Sequence, residues 1–408
     1  MKRDGIKVLV LTPIYPGDEI LKTATPVVHY FVREWVKQGA DVRVIHLPSN
    51  FPPFVNFIAR PFKKLIASKS GHDVRTWNVE EKEYEIEKVR VAQIPLCKLK
   101  PHGRYSNKEI NKAISKIQYY CSHRHYHPDV IVGHWGNPQL ELLQSLKDYF
   151  KKPTCFVAHL EGKYLLSIYG EEAYSLVDDV DLIGYRSESI RRRFEANFHC
   201  ANKPHFQCYS GIPSRYVEDI KRDIENRNTL LYVGTLIKRK NPVALVRAAS
   251  KAYSDNTFKI TYIGVGSELE SIRKEATILG CRDRINLMGR IPRDEVVNQM
   301  DSHTIFVMIS RNEAFGLVYL EAMARGCITI ASRDEGFDGI IQHGVNGFLC
   351  GAGDVTELTN ILNLIKTMPQ EELQSICDKA VETAHELTDE KAAACYLNQL
   401  KELAFAAQ

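Results

Sequence analysis

The segment NEAFGLVYLEA, residues 312–322, puts two carboxylates, Glu313 and Glu321, at the two ends of a mostly apolar run. The pattern continues through MAR to a stop at Gly326, as a helix apolar around most of its circumference. A buried carboxylate without hydrogen-bond donors costs several kcal/mol, so Glu321 needs partners, and the vicinal hydroxyls of a ribose would suit it. Glu313 precedes the helix, where it can accept from the hydroxyls of a sugar. Between the two, the first-turn amides from about Phe315 to Val318 form an anion site at the positive end of the helix dipole, and Gly316 allows close approach. The plain alternative is that Glu313 caps the helix and Glu321 pairs with an arginine.

Other candidates also follow strand-like runs. TLLYVGT ends in Gly234 and Thr235, and Lys238, Arg239 and Lys240 come directly behind. A glycine followed by a short basic loop suits a diphosphate; a solvated turn is the competing reading. IGVGSELE offers Gly264 and Gly266 but lacks the third glycine of a dinucleotide fingerprint. MGRIPRDEV sets Gly289, Arg290 and Ile291 at a strand end, where backbone groups can pair with a base edge.

In the first half, His134 and Trp135 close DVIVGHW, His159 closes PTCFVAH, and Arg186 follows DLIGY. Two histidines at neighbouring strand ends fit acid–base work or contacts to sugar hydroxyls. Arg186 fits a leaving phosphate or an anionic acceptor. Tyr15 lies in the loop TPIYPGDEILKTATP after the first strand, which suits an acceptor. CSHRHYH (121–127) has a metal-like composition, but residues two apart on a helix point away from each other, which argues against a metal site.

These residues need elements to position them. IKVLVLTP, VVHYFVREWVKQG and DVRVIHL form a βαβ unit. Apolar runs at 129–135, 153–159, 181–187 and 206–211 continue it. A second series, TLLYVGT, FKITYIGVG, RINLMGR, HTIFVMIS, CITIAS and GFLC, alternates with amphipathic helices. Near-continuous apolar strands alternating with helices predict parallel sheets covered on both faces. The polar stretch 211–228 divides the series. The fold class is therefore α/β, with two tandem doubly wound, Rossmann-like domains facing a cleft. The expected domains span 1–212 and 213–387, and a C-terminal helix, about 388–408, crosses back to the first. Ligands of such sheets sit beyond the C-terminal strand ends.

At 408 residues the chain is long enough for two domains. Its 25% charged residues and net charge of +4, without a dense basic block, do not point to nucleic acid. The ten scattered cysteines, without a CxxC pair, indicate a reducing compartment. The opening KVLVLT is too short for a signal peptide, and no apolar run reaches membrane-spanning length. A cytoplasmic protein is expected. FPPFVNFIARPFKKLIASKSGH (51–72) mixes Phe and Ile with Arg60, Lys63, Lys64 and Lys69 and holds no acid. That composition suits docking on anionic lipid headgroups at the inner face of a membrane, or a lid packed on its own domain.

Taken in order, GTLIKRKNP, IGVGSELE, MGRI, the E-x7-E of NEAFGLVYLEAMARG, CITIAS and EGFDGIIQHGVNGFLC resemble the retaining glycosyltransferases of the GT-B fold, family 4 (glycosyl transferases group 1). The resemblance covers nearly all of 228–365; the first domain matches more loosely, through DVIVGHW and FVAHLEG. It implies Glu321 on the ribose of a nucleotide diphosphate sugar, Glu313 on the sugar hydroxyls and Lys240 on the diphosphate. The amides of Gly316 and Leu317 would hold the distal phosphate, with Ala314 and Phe315 beside them, Gly234, Thr235 and Arg239 along the phosphates and Arg290 and Ile291 near the base. His134 matches a family histidine near the donor sugar, and the catalytic set is then His134, Glu313 and Lys240. Tyr15, Trp135, His159 and Arg186 are assigned to the acceptor. The chain departs from the family at three places: Thr235 stands where an arginine is usual, Asp338 where a glutamate is common, and Thr23, Ala24, Thr25 and Pro26 where many relatives carry a Gly-Gly pair.

The activity implied is transfer of a hexose or N-acetylhexosamine to a glycan or lipid-linked acceptor, in bacterial surface polysaccharide biosynthesis. It needs no metal and no cofactor, and a UDP-sugar is favoured over a GDP-sugar as donor. No carboxylate of the first domain stands out as a covalent nucleophile, so front-face transfer is expected. The rival readings are a sugar-nucleotide epimerase and a non-catalytic partner subunit, the latter because of Thr235. A dehydrogenase would need the full glycine fingerprint.

Overall fold

The structure, a computed structural model, describes residues 5–17, 26–63, 78–100, 103–217, 224–255 and 257–406, except the side chain of Asn56. Thr23, Ala24 and Thr25 of the first loop, Lys64 and Lys69 of the basic segment, and part of the dividing stretch (218–223) lie outside the described residues. The chain forms two compact units. One comprises 1–186, 190–210 and 389–408; the other comprises 187–189 and 211–388.

The first unit holds an eight-stranded sheet. From edge to edge its strands are His205–Gln207, Leu182–Tyr185, Thr154–Ala158, Val130–His134, Lys7–Thr12, Asp41–His46, Val89–Gln93 and Lys82–Ile86. All neighbours are parallel except the last pair, a hairpin that turns at Glu87 and Lys88, both at positive φ. Those two strands were not foreseen. Their signal is the period-two alternation of KEYEI, which reads as a half-exposed edge rather than the continuous apolar run of a buried parallel strand. The central strands KVLVLT and VIVGH are buried almost throughout, because helices cover both faces.

The C-terminal helix Asp389–Ala406 packs in this first unit, as expected, against the helix Val27–Lys37. Tyr396 sits edge-on to Trp35 and Phe31, with ring centroids 4.8 and 5.4 Å apart. The Trp35 indole N–H donates to the Ala393 carbonyl at 2.9 Å. Ala393, Leu397 and Leu400 join the same core. A strand-free C-terminal segment thus closes the apolar face of the first sheet.

The second unit holds six parallel strands in the order Ile285–Gly289, Lys259–Ile263, Thr229–Val233, Ile305–Val307, Ile328–Ser332 and Phe348–Cys350. Each corresponds to a strand expected from sequence. The direction of chain progress reverses between Thr229–Val233 and Ile305–Val307, and in the first sheet between Lys7–Thr12 and Val130–His134. A crevice opens at such reversals, because the connections on either side leave in opposite directions.

Candidate active site

The loops leaving the two strands at the second reversal bring the expected residues together. Thr229–Val233 continues through Gly234 into a short turn, Lys238–Lys240, and Ile305–Val307 continues through Ser310 to Glu313. The Lys240 Nζ lies 3.2 Å from Glu313 Oε2, and both side chains are mostly buried. Arg239 Nη1 is 3.9 Å from the same oxygen and also faces the carbonyls of Arg311 and Asn312, at 3.3 and 3.4 Å. The backbone joins the loops too, since the Arg311 N–H donates to the Arg239 carbonyl at 2.7 Å. Arg239 thus brings a second cation to Glu313 in the region where Thr235 supplies none. Lys238 instead lines a separate shallow cavity with Arg247 and Lys274.

The helix Leu317–Ala324 begins just beyond Glu313. Its cap, Gly316, has φ 94°, and a Cβ there would lie 2.5 Å from the Tyr319 ring, so both conformation and space call for glycine. Tyr319 is fully buried and donates its hydroxyl to the Met308 carbonyl at 2.6 Å. Ser310 Oγ lies 3.1 Å from that hydroxyl and 3.4 Å from Glu313 Oε2. First-turn amides of a helix have no intrahelical partner, so Leu317 and Val318 offer N–H groups near the Lys240–Glu313 pair. Ala314 is half-buried on the approach, and Phe315 is buried against Phe337.

Glu321 is buried, and its partner is of the kind the plain alternative offered. Arg293, from the helix Arg293–Asp301, donates through Nε to Glu321 Oε1 at 2.7 Å and places Nη2 at 2.5 Å. An arginine therefore compensates the carboxylate, as the alternative of an arginine pair had it. Arg293 also lies over the Tyr216 ring, 5.3 Å from its centroid, and the Tyr216 hydroxyl donates to Asp294 at 2.6 Å. Arg290 is exposed and Ile291 half-buried at the end of Ile285–Gly289.

The glycines of IGVG have a packing role. A Cβ at Gly264 would lie 2.0 Å from the Gly234 carbonyl, and one at Gly266 would lie 2.2 Å from the Leu236 carbonyl. The loops after neighbouring strands touch backbone to backbone there, which accounts for the pair without a dinucleotide. Glu335 was missed by sequence reasoning. It is buried and accepts the Glu313 N–H at 2.9 Å, so it holds the backbone that carries the first carboxylate. Its signal was an acid three residues after the strand CITIAS. Arg293, also missed, stood in the quoted MGRIPRDEV. Asp338, left outside the expected site, accepts the Asp334 N–H at 2.7 Å.

In the first unit His134, Trp135 and His159 do converge. His134 Nδ1 is 3.1 Å from His159 Nε2, and Trp135 stacks on His159 with centroids 4.0 Å apart. The Tyr396 hydroxyl lies 3.5 Å from His134 Nε2. Burial, with a smaller push from Arg186, pulls His134 down to about 3; burial, His134 and Arg186 lower His159 well below the ordinary range. The pair is neutral near pH 7. In the neutral form each ring can donate one hydrogen bond and accept another, so the pair suits contacts to hydroxyl groups.

Arg186 is buried as well. It donates to the Cys208 carbonyl at 2.6 Å and to Ser210 Oγ, tying neighbouring strand ends together. Tyr15 is fully buried with its hydroxyl 2.8 Å from His29 Nδ1, so its side chain has no face for an acceptor. In CSHRHYH, Cys121 faces the core while His123, His125 and His127 are exposed. No group of three or more His, Cys, Asp or Glu among the described residues is placed to hold a metal.

Residues 217–383 match the family described as glycosyl transferases group 1. The second unit belongs to that family. N-acetyl-alpha-D-glucosaminyl L-malate synthase of Bacillus anthracis is 31% identical over 163 residues, 40% of this chain and 42% of the relative. The chain therefore aligns with less than half of that relative's length. Among solved structures, sucrose-phosphate synthase of Thermosynechococcus elongatus superposes with a TM-score of 0.70 at 16% identity, covering 99% of this chain and all of that one. Anabaena Alr3699/HepE in complex with UDP gives 0.67 at 16% identity, covering 97% of this chain and 100% of that one. At such identities the likeness establishes the fold: the two-sheet GT-B type, returning helix included.

Proposed function

We propose that the protein is a retaining glycosyltransferase that moves a hexose or N-acetylhexosamine from a nucleotide diphosphate sugar to a glycan or lipid-linked acceptor. The observation that carries this reading is the meeting of Lys240, Arg239 and Glu313 at the strand-order reversal of the second sheet, beside a helix N-terminus. Cations and amides there oppose the charge that develops on the β-phosphate as it departs. Glu313 orients the sugar hydroxyls and Glu321 the ribose. In a front-face step the C1–O bond to the β-phosphate breaks, the acceptor oxygen bonds C1 on the same face, and its proton passes to the departing phosphate oxygen. The nucleotide sugar belongs to the second unit and the acceptor to the first, with Trp135 and His159 on the acceptor side. His134 acts through neutral hydrogen bonds.

A UDP-sugar is the favoured donor; the UDP held by Anabaena HepE supports that choice. No metal or cofactor takes part in the proposed step. The ten cysteines are all free, which suits a reducing compartment, and we place the protein in the cytoplasm and in bacterial surface polysaccharide assembly. None of the described helices is long and apolar enough to cross a membrane. A non-catalytic partner subunit is the second reading, favoured by Thr235.

The deciding experiment begins with a thermal-shift panel of nucleotide diphosphate sugars, since a ligand that binds only the folded chain raises its midpoint. Incubation of the stabilising donor with glycan and lipid-linked acceptors follows, with the anomeric configuration of the product read by NMR. An α-linked product from an α-linked donor is expected. Donor binding without transfer or slow hydrolysis would favour the partner subunit, and an isomerised sugar nucleotide formed without acceptor would favour an epimerase.

A further inference from the structure

The helix Pro53–Ala59 and the 3-10 turn Arg60–Phe62 present large apolar side chains to solvent. Phe54, Phe57, Ile58 and Phe62 are 60, 73, 61 and 53% exposed. Their spacing of three and four residues places them on successive turns, and Arg60 is exposed among them. A second segment arrives at the same place. Ser49–Asn50 pairs in parallel with Leu96–Cys97, and the Lys98 N–H donates to the Asn50 carbonyl at 3.0 Å. Lys98, Leu99 and Lys100 therefore run beside the chain that enters the helix. Leu99 is 72% exposed, and Lys100 is exposed beside it.

The surface itself carries the cations Arg60, Lys63 and Lys100 and no acid, the exposed Glu80 lying beyond Val79, whose N–H donates to the Asn50 side chain. Neither 53–63 nor 94–100 contains Asp or Glu. Two nearby acids are engaged elsewhere: Glu81 pairs with Lys116, and Glu109 accepts the Cys97 N–H at 2.8 Å and lies 3.7 Å from Lys112. Exposed aromatic rings and aliphatic chains flanked by cations match the boundary of a bilayer, where rings enter the acyl region and cations stay with the headgroups. An acidic protein would satisfy the cations but leave little use for five protruding apolar groups from two separate segments.

We propose that the surface formed by residues 53–63 and 98–100 docks on an anionic lipid bilayer. The proposal deepens the lipid-linked acceptor reading above, since it would carry the first unit to the plane where such an acceptor lies. Its test needs no transfer activity, so the two can fail separately.

The full chain is floated with vesicles of phosphatidylcholine alone and of phosphatidylcholine with phosphatidylglycerol, at low and high salt. Expected is co-flotation with the phosphatidylglycerol vesicles at low salt, weakened by high salt, and little with phosphatidylcholine alone. Arg60→Glu with Lys100→Glu should lower partitioning on the order of tenfold or more. Phe57→Ser with Ile58→Ser should abolish it while the circular dichroism melt stays unchanged. Equal behaviour on both lipids, or undiminished binding by the charge-reversed variant, overturns the proposal. So does concentration-dependent self-association lost in the Phe57→Ser, Ile58→Ser variant without lipid binding, which would make the occupant a second copy of the chain.

Discussion

Lys240 and Glu313 follow different strands of the second sheet and meet at 3.2 Å across the reversal in strand order. The pair is preorganised: Glu313 has its backbone held by Glu335, and the Lys240 carbonyl accepts the Tyr232 hydroxyl at 3.2 Å. On the proposed function, a diphosphate arriving there would meet a lysine already held in place.

Lys240→Ala should lower kcat by about 100- to 1000-fold, the usual loss when one group opposing transition-state charge is removed. The check is nucleoside diphosphate release under saturating donor, with a melt to show that the fold persists. Full turnover in this variant would remove Lys240 from the phosphate assignment.

If Glu321 takes the ribose as proposed, it and Arg293 allow ribose binding to be tested apart from phosphate binding. Glu321→Gln should weaken a nucleoside diphosphate while leaving inorganic diphosphate affinity unchanged, as measured by calorimetry. Arg293→Ala should cost about 1–3 kcal/mol of stability, because it strips a buried carboxylate of its charged partner while the arginine itself is partly solvated. Urea denaturation reads that loss.

Gly264→Ala forces a Cβ onto the Gly234 carbonyl at 2.0 Å. Backbone cannot yield as a side-chain tip can, so a destabilisation of about 2–4 kcal/mol is expected by denaturation. Because the displaced loop leads to Lys240, donor affinity should fall with it.

The histidine pair predicts a pH dependence of stability. Both folded-state pKa values lie below the ordinary 6.5, so the contribution is fully present above about pH 6.5 and is lost as pH falls toward the folded value, about 3 for His134. The slope is about 1.4 kcal/mol per pH unit for each histidine, because the unfolded chain takes up protons that the folded one refuses. Urea midpoints between pH 7.5 and 5.5 should show it, and His134→Gln should flatten the curve by one histidine's share. Identical slopes in the two proteins would contradict the neutral, buried pair.

What could be read directly from the residues was local and periodic. The buried strands of both sheets follow from apolar runs bounded by turn residues, and the returning C-terminal helix from an amphipathic segment that outlasts the second sheet. The carboxylates of NEAFGLVYLEA stood out because acids are costly in an apolar helix. Partner choice lay beyond that reading. Arg293 faces Glu321 and Arg239 reaches Glu313 because loops from different strands converge in space, while Tyr15 turns inward to His29 of the helix that follows its own strand. The edge hairpin 82–93 escaped for a related reason: its alternating pattern is a surface signal, and the neighbour that gives it meaning is a distant strand. Strand order, not proximity along the chain, decides which charges meet, and only the packed sheet establishes that order.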